Sequence, residues 1–211
     1  PSTFLISPQV FTTSWQTLIA FSIASFFSFS TFEKRLTIDK ENAMIETYSK
    51  VYGLNDNNIQ FIKYSDENNI LFIAYKNSNI DLLSEDGSVT NIPDLYRKNM
   101  SGSKKVNDIC FFENTAYLAC DFGITSLNLS KKEFKETYIT ESNNNDEKIL
   151  NLTIFSNVIY AMSENNITHC SINKNMLNYQ NWEKIPNPDI NKTNKKFLFK
   201  DSILYLLKND N

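Results

Sequence analysis

Every 45 residues or so this chain returns to one pattern, a pair of short apolar runs divided by a polar turn. The first run of each unit covers 59–64 (IQFIKY), 106–111 (VNDICF), 149–154 (ILNLTI) and 195–199 (KKFLF). The second covers 70–75 (ILFIAY), 115–120 (TAYLAC), 158–163 (VIYAMS) and 203–207 (ILYLL). Alignment of the second runs sets Phe72, Tyr117, Tyr160 and Tyr205 in one column, 45, 43 and 45 residues apart. A third run follows at 80–83 (IDLL), 124–127 (ITSL) and 167–170 (ITHC). Units of this length with three or four short strands mark the blades of a β-propeller. A single such sheet is apolar on both faces, so neighbours must stack to bury it. The expected fold class is all-β, a β-propeller of about four to five blades, each of about four antiparallel strands. The column aromatics are expected to fill the space between blades rather than line a site.

Blades are expected at about 15–52, 57–96, 104–140 and 148–186, with a partial one at 194–211, so that 1–211 is one propeller domain or part of one. The last unit holds two apolar runs only, and closure of the ring is what removes exposed sheet edges. An incomplete propeller from a longer protein is therefore the expectation. Turns should rely on asparagine and aspartate, because the chain has 29 Asn against 4 Gly and 5 Pro. Asn tolerates the left-handed region and bonds its own turn through its side chain.

The first 32 residues carry no charged side chain. Within them, 18–32 (LIAFSIASFFSFSTF) is too short and too rich in serine to span a bilayer, and no Lys or Arg precedes it as in a signal peptide. Phe27-Ser28-Phe29-Ser30 alternates with the period of a strand, and Phe27 stands 45 residues before Phe72. Glu46-Thr47-Tyr48 likewise stands 90 residues, two periods, before Glu136-Thr137-Tyr138. The stretch 18–32 is read as strand in a first blade, packed against the unit that begins near Asn57.

Catalytic constellations fall away one by one. The single histidine, His169, sits in a third run beside Cys170, with no second His and no triad pattern around it. Three cysteines (Cys110, Cys120, Cys170) replace apolar residues in repeat columns, and no CxxC is present. Asp121-Phe122-Gly123 and Ser101-Gly102-Ser103-Lys104 spell fragments of kinase and penicillin-recognising motifs, but their partner motifs are missing. No calcium-loop pattern occurs among the many aspartates. No enzyme activity, cofactor or metal is expected. With a net charge of −3 and no dominant basic face, nucleic acid is not an expected partner either.

Resemblance enters at the second and third units. Gly53-Leu54-Asn55-Asp56-Asn57-Asn58-Ile59, Leu71-Phe72-Ile73-Ala74-Tyr75 and Ile80-Asp81-Leu82 resemble the repeat of two-component-regulator propellers. The segments 73–81 (IAYKNSNID), 100–108 (MSGSKKVND) and 116–124 (AYLACDFGI), with Glu136-Thr137-Tyr138, resemble the N-terminal propeller of PorZ-like proteins of the Bacteroidetes type IX secretion system. The similarity is clear over 44–140, whereas 22–36 departs from the pattern. What it implies is an extracytoplasmic component at the cell surface or outer membrane, working with a sortase-like protease to attach secreted cargo to an anionic lipopolysaccharide. In that family the lipopolysaccharide is bound by a C-terminal domain, which the resemblance does not reach.

In a propeller the second-to-third-strand turns share a rim with the connections from outer strand to next inner strand. Here these are 76–79, 121–123 and 164–166, with 93–105, 140–148 and 186–195. The connection 93–105 holds Arg97, Lys98, Lys104 and Lys105 next to Tyr96, the densest positive cluster in an acidic chain. Cations beside an aromatic suit an anionic glycan or an acidic patch on a protein partner. Two function classes stand. One is a non-catalytic interaction scaffold in a surface secretion complex. The other is a periplasmic oligosaccharide-sensing propeller of a hybrid two-component receptor.

Overall fold

The computed structural model describes the backbone of residues 20–22, 25–30, 35–40, 44–141, 147–186, 194–200 and 203–208, with side chains for 48–141 and 147–186. The described backbone is almost entirely antiparallel strand. The first sheet is β1 (Ala20–Ser22), β2 (Ser25–Ser30), β3 (Arg35–Lys40) and β4 (Met44–Ser49). The second is β5 (Ile59–Ser65), β6 (Ile70–Tyr75), β7 (Ile80–Ser84) and β8 (Val89–Ile92). One helical turn, α1 (Asp94–Arg97), leads into β9 (Val106–Phe112), β10 (Thr115–Cys120), β11 (Gly123–Asn128) and β12 (Glu133–Tyr138). A fourth sheet holds β13 (Ile149–Phe155), β14 (Val158–Ser163), β15 (Ile167–Ser171) and β16 (Glu183–Lys184), and β17 (Asn194–Lys200) pairs with β18 (Ile203–Lys208). Each sheet is a meander paired in sequence order, as propeller blades are.

The sequence places 18–32 in a first blade as strand. Its described residues are strand, with Phe27 paired to Ile38 and Phe29 to Leu36, and β1 lies beside β5. Residues 18–19, 23–24 and 31–32 lie outside the described residues, as does Trp15. The asparagine expectation holds only in part, since all four glycines take positive φ. Among the described residues six non-glycine positions have positive φ, and of these only Asn69 and Asn157 are asparagine, the rest being Ser78, Glu113, Lys132 and Ser156. Asparagine contributes more through its side chain: Asn77, Asn128 and Asn178 Oδ1 accept the N–H of Asn79, Lys131 and Gln180. Glycine is required at one turn, 121–123, where a Cβ on Gly123 would meet the Tyr138 carbonyl oxygen at 2.8 Å.

Blades stack through apolar layers. Between the second and third sheets lie Phe72, Leu82, Ile109, Leu118 and Leu127, with Phe111 edge-on to Phe72 at 6.4 Å between ring centres. Between the third and fourth lie Tyr117, Ile124, Leu152 and Ile159, and Tyr117 packs on Tyr138 at 6.3 Å. Phe72 and Tyr117 thus each face the following blade. Phe72 and Tyr117 are buried, whereas Tyr160 is half-buried and stacks on His169 at 5.6 Å. The Tyr205 side chain lies outside the described residues.

The inner strands add a polar lace. Gln60 Nε2 donates to the Val106 carbonyl at 2.6 Å, and Asn107 Nδ2, one blade on, donates to the Ile149 carbonyl at 2.8 Å. Asp108 reinforces the same junctions. Lys63 Nζ lies 3.6 Å from its Oδ1 and also bonds the Ile109 carbonyl, while Leu152 N–H donates to its Oδ2 at 3.1 Å.

Candidate functional site

Four hydrogen bonds draw the second-to-third-strand turns and the outer-to-inner connections onto one end of the stack. Lys76 N–H donates to the Asn58 carbonyl at 2.9 Å, and Ser78 Oγ donates to the Lys104 carbonyl at 2.7 Å. Asp121 N–H donates to the Lys105 carbonyl at 3.1 Å, and Asn166 Nδ2 donates to Glu141 Oε1 at 2.9 Å. On this end, successive connections each expose large apolar side chains. They are Val51 and Tyr52, then Tyr96, then Ile139, between 49% and 84% accessible. Among the described residues the other exposed ones, Leu177 and Tyr179, lie between β15 and β16.

The connection 93–105 is built around α1, which carries no side-chain cap and closes on Arg97 N–H to the Pro93 carbonyl at 2.8 Å. A single turn has no stability of its own. It is anchored by Leu95, buried in the layer between the second and third sheets, with Met100 packed against that layer. The five residues picked out in the sequence then separate into two sets. Lys104 turns inward: its ammonium donates to the carbonyls of Tyr96 at 2.6 Å and Lys98 at 3.0 Å, and stands 6.0 Å from the centre of the Tyr96 ring. Tyr96, Arg97, Lys98 and Lys105 are exposed, and the Lys98 ammonium lies 5.9 Å from the centre of the Phe122 ring.

Beside α1 a cleft of about 480 Å³ opens toward the β11–β12 hairpin. Leu95, Phe122 and Phe134 give it an apolar floor, and Arg97, Lys98 and Lys135 stand around it. Phe134 and Lys135 read in sequence as ordinary outer-strand residues. The basic Lys135 within the acidic run EFKETY was the one available sign.

The main buried polar group lies elsewhere. Asp81, fully buried, accepts from Tyr75 Oη at 2.6 Å, Asn55 N–H at 2.8 Å, Asn55 Nδ2 at 3.0 Å and Asn91 Nδ2 at 2.8 Å. Burial and the neighbouring carboxylate push the Tyr75 hydroxyl far above its usual range. With four donors satisfied, Asp81 has no capacity left for a ligand. It ties the Gly53–Ile59 stretch to β6, β7 and β8. The Cys110 and Cys120 thiols are pushed well up by burial, which removes thiolate character and fits their core positions. Among the described residues no three His, Cys, Asp or Glu side chains come together in a way that could hold a metal ion. No described helix is long and apolar enough to cross a membrane.

A family model, that of the PorZ N-terminal beta-propeller domain of the type IX secretion system, matches residues 30–183. Among solved structures, the chain is similar to PorZ, an essential bacterial surface component of the type IX secretion system of Porphyromonas gingivalis, with a TM-score of 0.77 at 22% identity. That match covers 93% of this chain and 27% of the other. The extracellular domain of a putative one-component system from B. thetaiotaomicron gives 0.67 at 14% identity, over 96% of this chain and 27% of that one. Virginiamycin B lyase from Staphylococcus aureus gives 0.64 at 15% identity, over 87% and 59%. At these identities each likeness carries the fold alone. No curated protein matches the sequence.

Proposed function

The chain belongs to the PorZ N-terminal β-propeller family, and from that premise we propose that it is a non-catalytic interaction module of an extracytoplasmic secretion assembly, with protein partners held on the end of the stack described above. The observation that carries the reading is the row of exposed apolar side chains at Val51 and Tyr52, Tyr96 and Ile139, repeated in the connections of successive blades. Exposed apolar groups rimmed by polar residues are what a protein partner desolvates. The absence of catalysis is supported by what the reactive groups are doing. Asp81 is saturated with donors, the Cys110 and Cys120 thiols are buried, and His169 is stacked on Tyr160.

The cations of the 93–105 connection belong to the same reading as tuners of association. Charges at a rim chiefly set the rate of encounter and its salt dependence. A second reading, an oligosaccharide sensor, is favoured by the likeness of the fold to the extracellular domain of a putative one-component system. Deleting the gene in the encoding bacterium separates the two. Loss of secreted proteins from the cell surface, with induction of polysaccharide-use genes intact, is the outcome expected of the assembly module. Intact attachment with lost induction would establish the sensor instead.

A further inference from the structure

We propose that the cleft between α1 and the β11–β12 hairpin binds an acidic peptide segment whose carboxylates alternate with apolar or aromatic side chains. This inference rests on the reading of the chain as an interaction module and names the chemistry of one element it would hold. The first support is the pairing of charges. Lys63, Lys131, Lys148, Lys174 and Lys184 each stand within 4.0 Å of a carboxylate. Arg97, Lys98 and Lys135 make no ion pair among the described residues, which is also true of Lys50, Lys76, Lys104, Lys105 and Lys132, but these three converge on one cleft with a single acid, Asp94, in its lining. In a chain of net charge −3, that is a local field of the opposite sign, suited to a carboxylate.

The second support is the floor. Leu95 and Phe122 are buried and Phe134 is half-buried, so the cleft wall is mainly hydrocarbon and ring. The Lys98 ammonium over the Phe122 ring sets a cation directly beside that apolar surface. An apolar side chain can fill the floor while a neighbouring carboxylate meets the cations, and the guanidinium of Arg97 can take it in bidentate fashion.

The third support concerns what the cleft lacks. Each sugar ring brings several hydroxyls whose bonds to water must be replaced, or desolvation costs more than contact returns. No Asn, Gln or Trp side chain lines the cleft. Of its two threonine hydroxyls, Thr125 Oγ1 already donates to the Glu136 carbonyl at 3.0 Å. An acidic peptide with apolar side chains needs few such bonds; a glycan needs many.

The test is fluorescence anisotropy on the full chain with a fluorescein-labelled hexapeptide of alternating Glu and Phe. Comparison probes are the same peptide with Gln in place of Glu and a labelled oligogalacturonate. The variants are Arg97→Glu combined with Lys135→Glu, and Lys76→Glu as a control at an exposed turn outside the cleft. Melting temperatures are measured alongside, and all three positions are exposed, so folding should be kept. The acidic peptide is expected to bind, and to lose at least about tenfold in affinity in the double variant and in its Gln form, while Lys76→Glu leaves it unchanged. Equal affinity for wild type and double variant overturns the proposal. So does binding of the oligogalacturonate with that variant sensitivity while the peptide stays free. If the peptide does not bind but surface attachment still depends on the chain, the cleft assignment alone falls; if attachment is independent too, the interaction reading falls with it.

Discussion

Asp81 shows how one position can join three strands and a connection. Its carboxyl group collects donors from Asn55, Tyr75 and Asn91, residues 26, 6 and 10 positions away. In Asp81→Ala the buried Tyr75 hydroxyl would lose its acceptor, at a cost of about 1–3 kcal/mol in unfolding free energy by urea titration. A change within about 0.5 kcal/mol would contradict the role. None of this was legible in sequence, because an aspartate within an apolar run names neither its partners nor their strands. The aromatic column was legible, since its 45-residue spacing states that equivalent positions meet equivalent neighbours. Tyr117→Ala should cost about 3–5 kcal/mol as a large-to-small change in a packed layer. Burial also pushes the Tyr117 hydroxyl up to about 12 from its usual value near 10, and raises Tyr75 further. For a raised folded-state value, stability is fully present below the unfolded value and is lost as pH climbs toward the folded one. The melting temperature should therefore hold to about pH 10 and fall between about pH 10 and 12, with Tyr117→Phe flattening part of that fall.

At the scale of elements, the second strands were readable because both of their faces are covered, which makes them continuous apolar runs. The outer strands were less readable. β12 is largely exposed, so its composition obeys solvent rather than a partner sheet. The turn α1 escaped notice for a different reason: four residues are too few to show helical periodicity, and Leu95, which holds it in place, reads as an isolated apolar residue. Its fold divides the basic cluster by task. Lys104→Glu should lower stability by about 1 kcal/mol by deleting its bonds to two carbonyls, whereas Arg97→Glu, Lys98→Glu and Lys105→Glu should leave thermal melting unchanged. If all four variants melt alike, Lys104 has no structural share. The inner-strand lace gives a parallel case, in which Asn107→Ala removes bonds to both Ile149 and Asp121. It should lose about 1–2 kcal/mol by urea titration, more than a surface change would.

The whole molecule is a stack of meander sheets, and the repeat period with its strand lengths was enough to state that much. The proposed binding surface is harder to read because it is assembled between sheets. The cleft draws residues 93–98 from one blade and 122–137 from the next, so no single segment carries its pattern. The exposed row is equally dispersed, one connection at a time, and the sequence gives no sign that Tyr52, Tyr96 and Ile139 remain uncovered when similar residues nearby are buried. On the proposed function, this row engages a protein partner in the secretion assembly. The most direct measurement replaces Tyr52, Tyr96 and Ile139 together with Asp in the encoding bacterium and quantifies secreted cargo retained at the cell surface at matched levels of the protein. Retention lost in the variant, with melting temperature and protein level preserved, is the predicted result; retention equal to wild type at the same protein level would contradict it.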